Sequence, residues 1–318
     1  MRSTKSILSA AVFAAMSAAA VFAQDDTVRV ETNLVTANVS VTDRSGNFVR
    51  GLKREDFAIV DSGRLRDVDT VFGEDAPLSI GIVYDMHPTT GEHTADVLRT
   101  LKKLTSELRP QDDFFVSVFN ERGTLTTEFV PDNDQLQRHL SDARPNGPSS
   151  LYDAIFDAGG KFGRLRNSKR ILLVLTDGAD HSSDHSIKEL KARLRSVNLP
   201  LYALTFNTAD RRQYGYLDIM ANGPRRSLGG QSTEIDRAAI ASIAKTTGGQ
   251  AFESSIRNQY YLGALINKVL DEVRNQYVIG FYPDEPDGRW HSLKITVKGQ
   301  KAKRLKVSGR TGYLSRKN

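Results

Sequence analysis

LSIGIVYDMHPTT, residues 78–90, decides how the chain is read. Leu78 to Tyr84 forms a continuous apolar run, as a strand buried on both faces of a parallel sheet does. Asp85 stands where that strand should end, and Asp85, His87 and Thr89 alternate through the loop that follows. Val97, Leu98, Leu101, Leu104 and Leu108 then recur at helical spacing.

Working outward, the same alternation continues to about Arg274. DFFVSVF (113–119) and TLTTEFV (124–130) flank a hairpin-like Asn-Glu-Arg-Gly connection, and helical stretches span Gln135–Ala143 and Leu151–Gly163. RILLVLTDG (170–178) reads as a second buried strand, Ser186–Val197 as helix and LPLYALTF (199–206) as strand. Asp236–Thr246 reads as helix stopped by Gly248-Gly249, Gln250–Phe252 as a short strand and Tyr260–Arg274 as a last helix. This order predicts an α/β unit, a doubly wound, mostly parallel, Rossmann-like sheet with helices on both faces. A long Gly-, Pro- and Arg-rich stretch, 207–233, is read as a functional or a mobile loop.

The flanks change period. Val35, Ala37, Val39 and Val41 alternate with polar residues, as do Val68, Thr70 and Phe72, and later Tyr277, Ile279, Phe281, Leu293, Ile295 and Val297. Each β zone alone is too small for an adequate core. Together they have the size of one immunoglobulin-like sandwich, with the α/β unit inserted in it. The alternative is two small appendages packed separately. The division expected is 24–75 for the first half of the sandwich, 76–275 for the α/β domain and 276–318 for the second half.

The start, MRSTKSILSAAVFAAMSAAAVFAQDD, has a positive end, an apolar run and a small-residue cut site after Ala23. Residues 1–23 therefore read as a secretory signal peptide, placing the mature protein in the periplasm or outside, with no transmembrane segment once the signal is removed. An uncleaved anchor is the other reading. The sequence has no cysteine, which excludes disulfides, thiolate metal sites and cysteine nucleophiles. The formal charge of +6 is local, because residues 291–318 contain no Asp or Glu. Their Lys and Arg alternate with Leu293, Ile295, Val297, Leu305 and Val307, the pattern of the solvated face of a strand pair. No basic–aromatic motif for nucleic acid is present. The arginines at 211, 212, 225 and 226 read as solvated.

Ligands of open α/β sheets bind outside the carboxyl ends of the strands. Three polar clusters fall there: Asp85-Met86-His87-Pro88-Thr89, Pro148-Ser149-Ser150 and Thr176-Asp177-Gly178. In this order they resemble the metal-ion-dependent adhesion site of von Willebrand factor A domains. TNLVTANVSVTDRSGNFVRGLKREDFAIVDSG, LTDGADHSS and NQYVIGFYPDEPDGRWHSLKITVKG extend the likeness to the exported, von Willebrand factor A-related proteins of acidobacteria. The resemblance implies Asp85, His87, Thr89, Ser149 and Asp177 as metal ligands, with His87 where the family carries serine. It also implies a non-catalytic protein-binding or adhesion module, whose unidentified partner completes the site with an acidic side chain.

His87 divides the metal reading three ways. A Mg²⁺ or Mn²⁺ site would need His87 to swing aside; a retuned site would use its imidazole for Zn²⁺; a degenerate site would bind no metal. Ser149, His87 and Asp177 could instead be imagined as the triad of a hydrolase. No nucleophile elbow, phosphate loop or dinucleotide fingerprint accompanies them. A structural envelope protein is a further alternative. His181 and His185, four apart, would make a zinc pair on a helix. Asp184 and Ser186 read more simply as caps of the following helix, with Glu189 in its first turn.

Overall fold

The computed structural model describes residues 34–86, 94–120, 123–127, 138, 150–162, 165, 167–180, 182–206, 233–254, 259–284 and 287–315. The first strands are β1 (Val35–Thr42), β2 (Phe57–Asp61), β3 (Arg64–Arg66) and β4 (Thr70–Phe72). The α/β segment follows as β5 (Leu78–Asp85), α1 (Thr94–Ser106), β6 (Asp113–Asn120), β7 (Gly123–Thr127), α2 (Leu151–Lys161) and β8 (Lys169–Thr176). It continues through α3 (Ile187–Ser196), β9 (Leu201–Phe206), α4 (Thr233–Thr247), β10 (Ala251–Ser254) and α5 (Gln259–Arg274). The chain closes with β11 (Tyr277–Phe281), β12 (Trp290–Val297), β13 (Lys306–Gly309) and β14 (Gly312–Leu314).

The six-stranded sheet has the order β10-β9-β8-β5-β6-β7, parallel except for the antiparallel β6–β7 edge. The apolar runs are continuous because both faces are covered. Ile80, Ile82 and Tyr84 pack with Ile171, Leu173 and Leu175 against α1 and α5. Val83, Leu172 and Val174 pack on the other face against α2, α3 and α4. Gly81 is small of necessity, since a Cβ there would lie 2.6 Å from Phe115 and 2.7 Å from Phe162. Those two rings meet edge to face and fill the space over the strand. The fold is therefore the doubly wound, mostly parallel α/β arrangement that the periodicity predicts.

Two four-stranded antiparallel sheets, β13-β1-β11-β4 and β14-β12-β2-β3, interleave strands from both flanks. Val39, Val41, Phe57, Ile59, Ile279 and Phe281 share one core, with Phe57 on Tyr277 and Phe281 on Tyr313 edge to face between the sheets. Two expectations about the flanks are corrected. β12 and β13 do not pair with each other: β12 pairs with β2 and β14, and β13 with β1, because the chain crosses between sheets after Val297. Phe72 is 43% exposed while Val71 packs on the core, since β4 is a three-residue edge strand.

The two sheets meet the α/β unit at the amino ends of its strands. Lys169, the first residue of β8, is fully buried, and its ammonium donates to the carbonyls of Gly73 (3.2 Å) and Arg274 (3.0 Å). One side chain thus holds both chain crossings. Nearby, Asn198 donates to the Thr36 carbonyl at 2.6 Å. Gln276 donates to the Tyr202 hydroxyl (2.9 Å), which donates to Glu272 (3.1 Å). Burial raises both the Tyr202 phenol and the Glu272 carboxyl above their ordinary ranges. Among the described residues no helix is long and apolar enough to cross a membrane.

Burial pushes Lys169 down to about 8, partly offset by Glu74. The folded protein then binds fewer protons than the unfolded chain from that pH up to the ordinary lysine range, so stability rises with pH across this window. Urea unfolding of wild type and Lys169→Met should show a gain on the order of 2–3 kcal/mol between the ends of the window in the wild type and not in the variant. Parallel pH curves would remove Lys169 as the cause.

Candidate functional site

Asp85 ends β5 with its side chain fully buried. A buried carboxylate requires donors. The hydroxyl of Thr176, the last residue of β8, donates to its Oδ2 at 2.8 Å. The same hydroxyl accepts the Gly178 N–H at 3.0 Å. Asp177, 3% exposed, folds its Oδ1 back to the Ala179 N–H at 3.0 Å. Gly178 has φ +87°, and a Cβ there would lie 2.8 Å from Cγ of Arg237 on α4. The turn therefore requires glycine twice, for its backbone and for the close approach of the helix.

This cluster stands at the topological switch of the sheet. From β5 the chain moves toward β6 on one side, and from β8 toward β9 on the other. The crevice that such a reversal opens is the position where ligands of open α/β sheets bind. The β-sheets of the flanks contact the opposite ends of these strands, leaving the carboxyl ends as a separate face.

The connection after β8 is tied to the start of α2. The Tyr152 N–H reaches Asp180 Oδ1 (3.1 Å) and Ser183 Oγ (3.0 Å), and the Asp153 N–H reaches Ser183 Oγ (3.2 Å). The hydroxyls of Ser150 and Ser182 lie 2.8 Å apart. The Asp153 carboxylate accepts the N–H groups of Asp184 and His185, each at 2.9 Å, and lies 2.7 Å from His185 Nδ1. Burial pushes that carboxyl up, but these donors together hold it below its ordinary range. The His185 ring stacks on Phe156 with centroids 3.8 Å apart.

Ser186, not Asp184, caps α3, in a reciprocal capping box with Glu189. His185 precedes the helix and is engaged by Asp153 from α2, so it does not present a helical histidine pair; His181 lies outside the described residues. Of the five residues assigned to the metal site, Asp85 and Asp177 occupy adjacent strand ends, while His87, Thr89 and Ser149 lie outside the described residues. The same holds for His87 and Ser149 of the imagined triad, and for the 207–232 part of the long loop.

The donor chemistry of the described part is two carboxylates and one hydroxyl, hard oxygen groups that suit Mg²⁺ or Mn²⁺. Among the described residues no three His, Cys, Asp or Glu side chains gather around one point. Two roles were not assigned from sequence. Thr176 was visible in its cluster, but only the register of β5 with β8 makes it the donor to Asp85. Asp180 and Ser183 cap a helix that precedes them by about thirty residues, a pairing with no local signature.

No family profile matches the sequence, and no curated protein sequence matches it. Solved structures are similar in fold. A von Willebrand factor type A protein from Catenulispora acidiphila shares 9% identity over 91% of this chain and 76% of its own, with a TM-score of 0.49. BatB from Bacteroides thetaiotaomicron shares 17% identity over 61% and 99%, with a TM-score of 0.44. The pilus adhesin SpaC from Lactobacillus rhamnosus GG shares 10% identity over 87% and 47%, with a TM-score of 0.46.

Thr176→Val removes the donor to buried Asp85 and the acceptor of the Gly178 N–H without changing side-chain shape. A loss of roughly 2–3 kcal/mol in urea unfolding is expected, with Thr176→Ser close to wild type. Equal stability of Val and Ser variants would mean that other groups answer the Asp85 carboxylate instead.

Proposed function

We propose that the protein is an exported, non-catalytic binding module whose partner docks on the carboxyl ends of β5 and β8. One observation carries this: the buried Asp85–Thr176 hydrogen bond, with Asp177 beside it, puts acidic and hydroxyl groups at the sheet reversal. In this reading His87, Thr89 and Ser149 complete a variant adhesion site with Asp85 and Asp177. It holds one divalent cation, Mg²⁺ or Mn²⁺, with Zn²⁺ favoured if the His87 imidazole coordinates. When bound, the cation supplies an open coordination position that rewards an incoming carboxylate from the partner. A polar rim already committed to hydrogen bonds, such as Asp153 with His185, gives this face a fixed shape before the partner arrives.

Calorimetric titration with Mg²⁺, Mn²⁺ and Zn²⁺ should give heat with wild type and none with Asp85→Ala of unchanged circular dichroism. Capture of a partner from periplasmic extract should then be lost in EDTA. Metal binding that survives in Asp85→Ala places the ion elsewhere. Capture that ignores EDTA, with no metal heat, leaves a degenerate site that binds through polar and apolar contacts alone.

A further inference from the structure

The chain's excess positive charge has a definite place. β1 touches the joint with the α/β unit at Thr36, through Asn198, and at Asn38, through Gln276, and runs on to Thr42; Arg50, after the next turn, donates to Asn275 at 2.6 Å. β12 starts at Trp290, whose ring lies 4.4 Å from the Arg195 guanidinium of α3, and runs the same way to Val297. Beyond both strands lie the turn after Thr42, the 3-10 turn Arg54–Asp56, Lys298 and the 3-10 turn Gln300–Arg304. They form one surface: the Arg44 guanidinium donates to the Lys303 carbonyl (3.3 Å), and the Lys298 N–H to the Asp56 carbonyl (2.7 Å).

Arg44, Lys53, Arg54, Lys298, Lys303 and Arg304 are all exposed on this end of the sheets. Three carboxylates, Asp43, Glu55 and Asp56, lie among these six cations and leave a positive excess. Asp43 is occupied by the N–H groups of Ser45 (2.8 Å) and Asn47 (2.9 Å), and Asp56 by that of Lys53 (2.8 Å). Glu55 lies 3.8 Å from Arg54 in solvent, and Arg66 is paired with Asp61 and Asp284. Beside Arg54 and Lys298 opens a groove of about 390 Å³ that also holds Arg66, Asp67 and Leu65, the last 73% exposed.

We infer that this basic end of the β-sheets is a docking surface for the anionic headgroups of a lipid membrane. Cations delivered by four separate chain segments at the tip of the sheets suit a broad negative surface better than a single ionic ligand. Long Lys and Arg stems let the charges spread into the headgroup layer. Leu65 adds an apolar side chain beside the recess, which a headgroup can enter.

The test is cosedimentation of the full chain with phosphatidylcholine vesicles, with and without phosphatidylglycerol. Binding is expected only with phosphatidylglycerol, and weaker at physiological ionic strength, where the screening length falls to roughly 8 Å. Lys298→Glu/Lys303→Glu/Arg304→Glu should lower the vesicle affinity by at least about tenfold. Lys188→Glu/Lys245→Glu, in the α/β unit, should leave it unchanged. Should the triple variant not fold, the single Lys303→Glu, expected to weaken binding several-fold, is read instead. Equal binding to neutral vesicles, or equal loss in the control variant, overturns the assignment. So does release by inorganic phosphate at matched ionic strength, which marks a phosphate site. Capture by dextran sulfate without vesicle binding marks a soluble polyanion as the ligand.

Discussion

The parallel pairing of β5 with β8, register Tyr84 to Leu175, is the constraint on which the molecule depends. Both strands are buried on both faces, and Asp85, Thr176 and Lys169 at their ends are buried with them. Each end must be answered inside the protein. At the carboxyl end Thr176 answers Asp85, which fixes the geometry of the proposed binding face. At the amino end Lys169 answers the carbonyls of the two chain crossings, which fixes where the flanking sheets attach. One strand, β8, supplies both groups.

The two ends tie together different parts of the chain. At the carboxyl end the polar atoms belong to turns and a helix start, and local bonds, Asp177 with Ala179 and Gly178 with Thr176, stand beside distant ones, Thr176 with Asp85 and Tyr152 with Asp180. At the amino end the partners are distant in sequence: Asn198 with Thr36, Gln276 with Tyr202, Arg50 with Asn275. A joint made of buried polar groups is specific, because any displacement strands several of them at once. It gains less stability than an apolar joint of equal area, since the charged Lys169 is buried against its preference.

The parts legible in the sequence are those set by local periodicity. Continuous apolar runs gave β5, β8 and β9, and helical spacing gave α1 and α3, because each pattern reports its own burial. The glycine after Asp177 and the Ser186–Glu189 box were readable for the same reason: turns and caps have local chemistry. What escaped depends on who lies opposite. Thr176 stands out only as part of a polar cluster, and its role as donor to Asp85 arises when β8 is set against β5 in register. Lys169 looks like an ordinary strand start, and only the meeting of both crossings makes it the residue that holds them. The basic strands looked like one solvated pair; in three dimensions β12 and β13 belong to different sheets, and Lys298, Lys303 and Arg304 lie in the connection between them.

That distribution gives the molecule two unlike poles. The acidic and hydroxyl groups of β5 and β8 lie at one, the exposed Lys and Arg of the flanking sheets at the other, with the polar joint between. The basic region touches the joint through Arg50, which donates to Asn275. Coupling would require the joint to yield, and its weakest element is the buried ammonium, which favours water over its carbonyl partners as long as it is protonated.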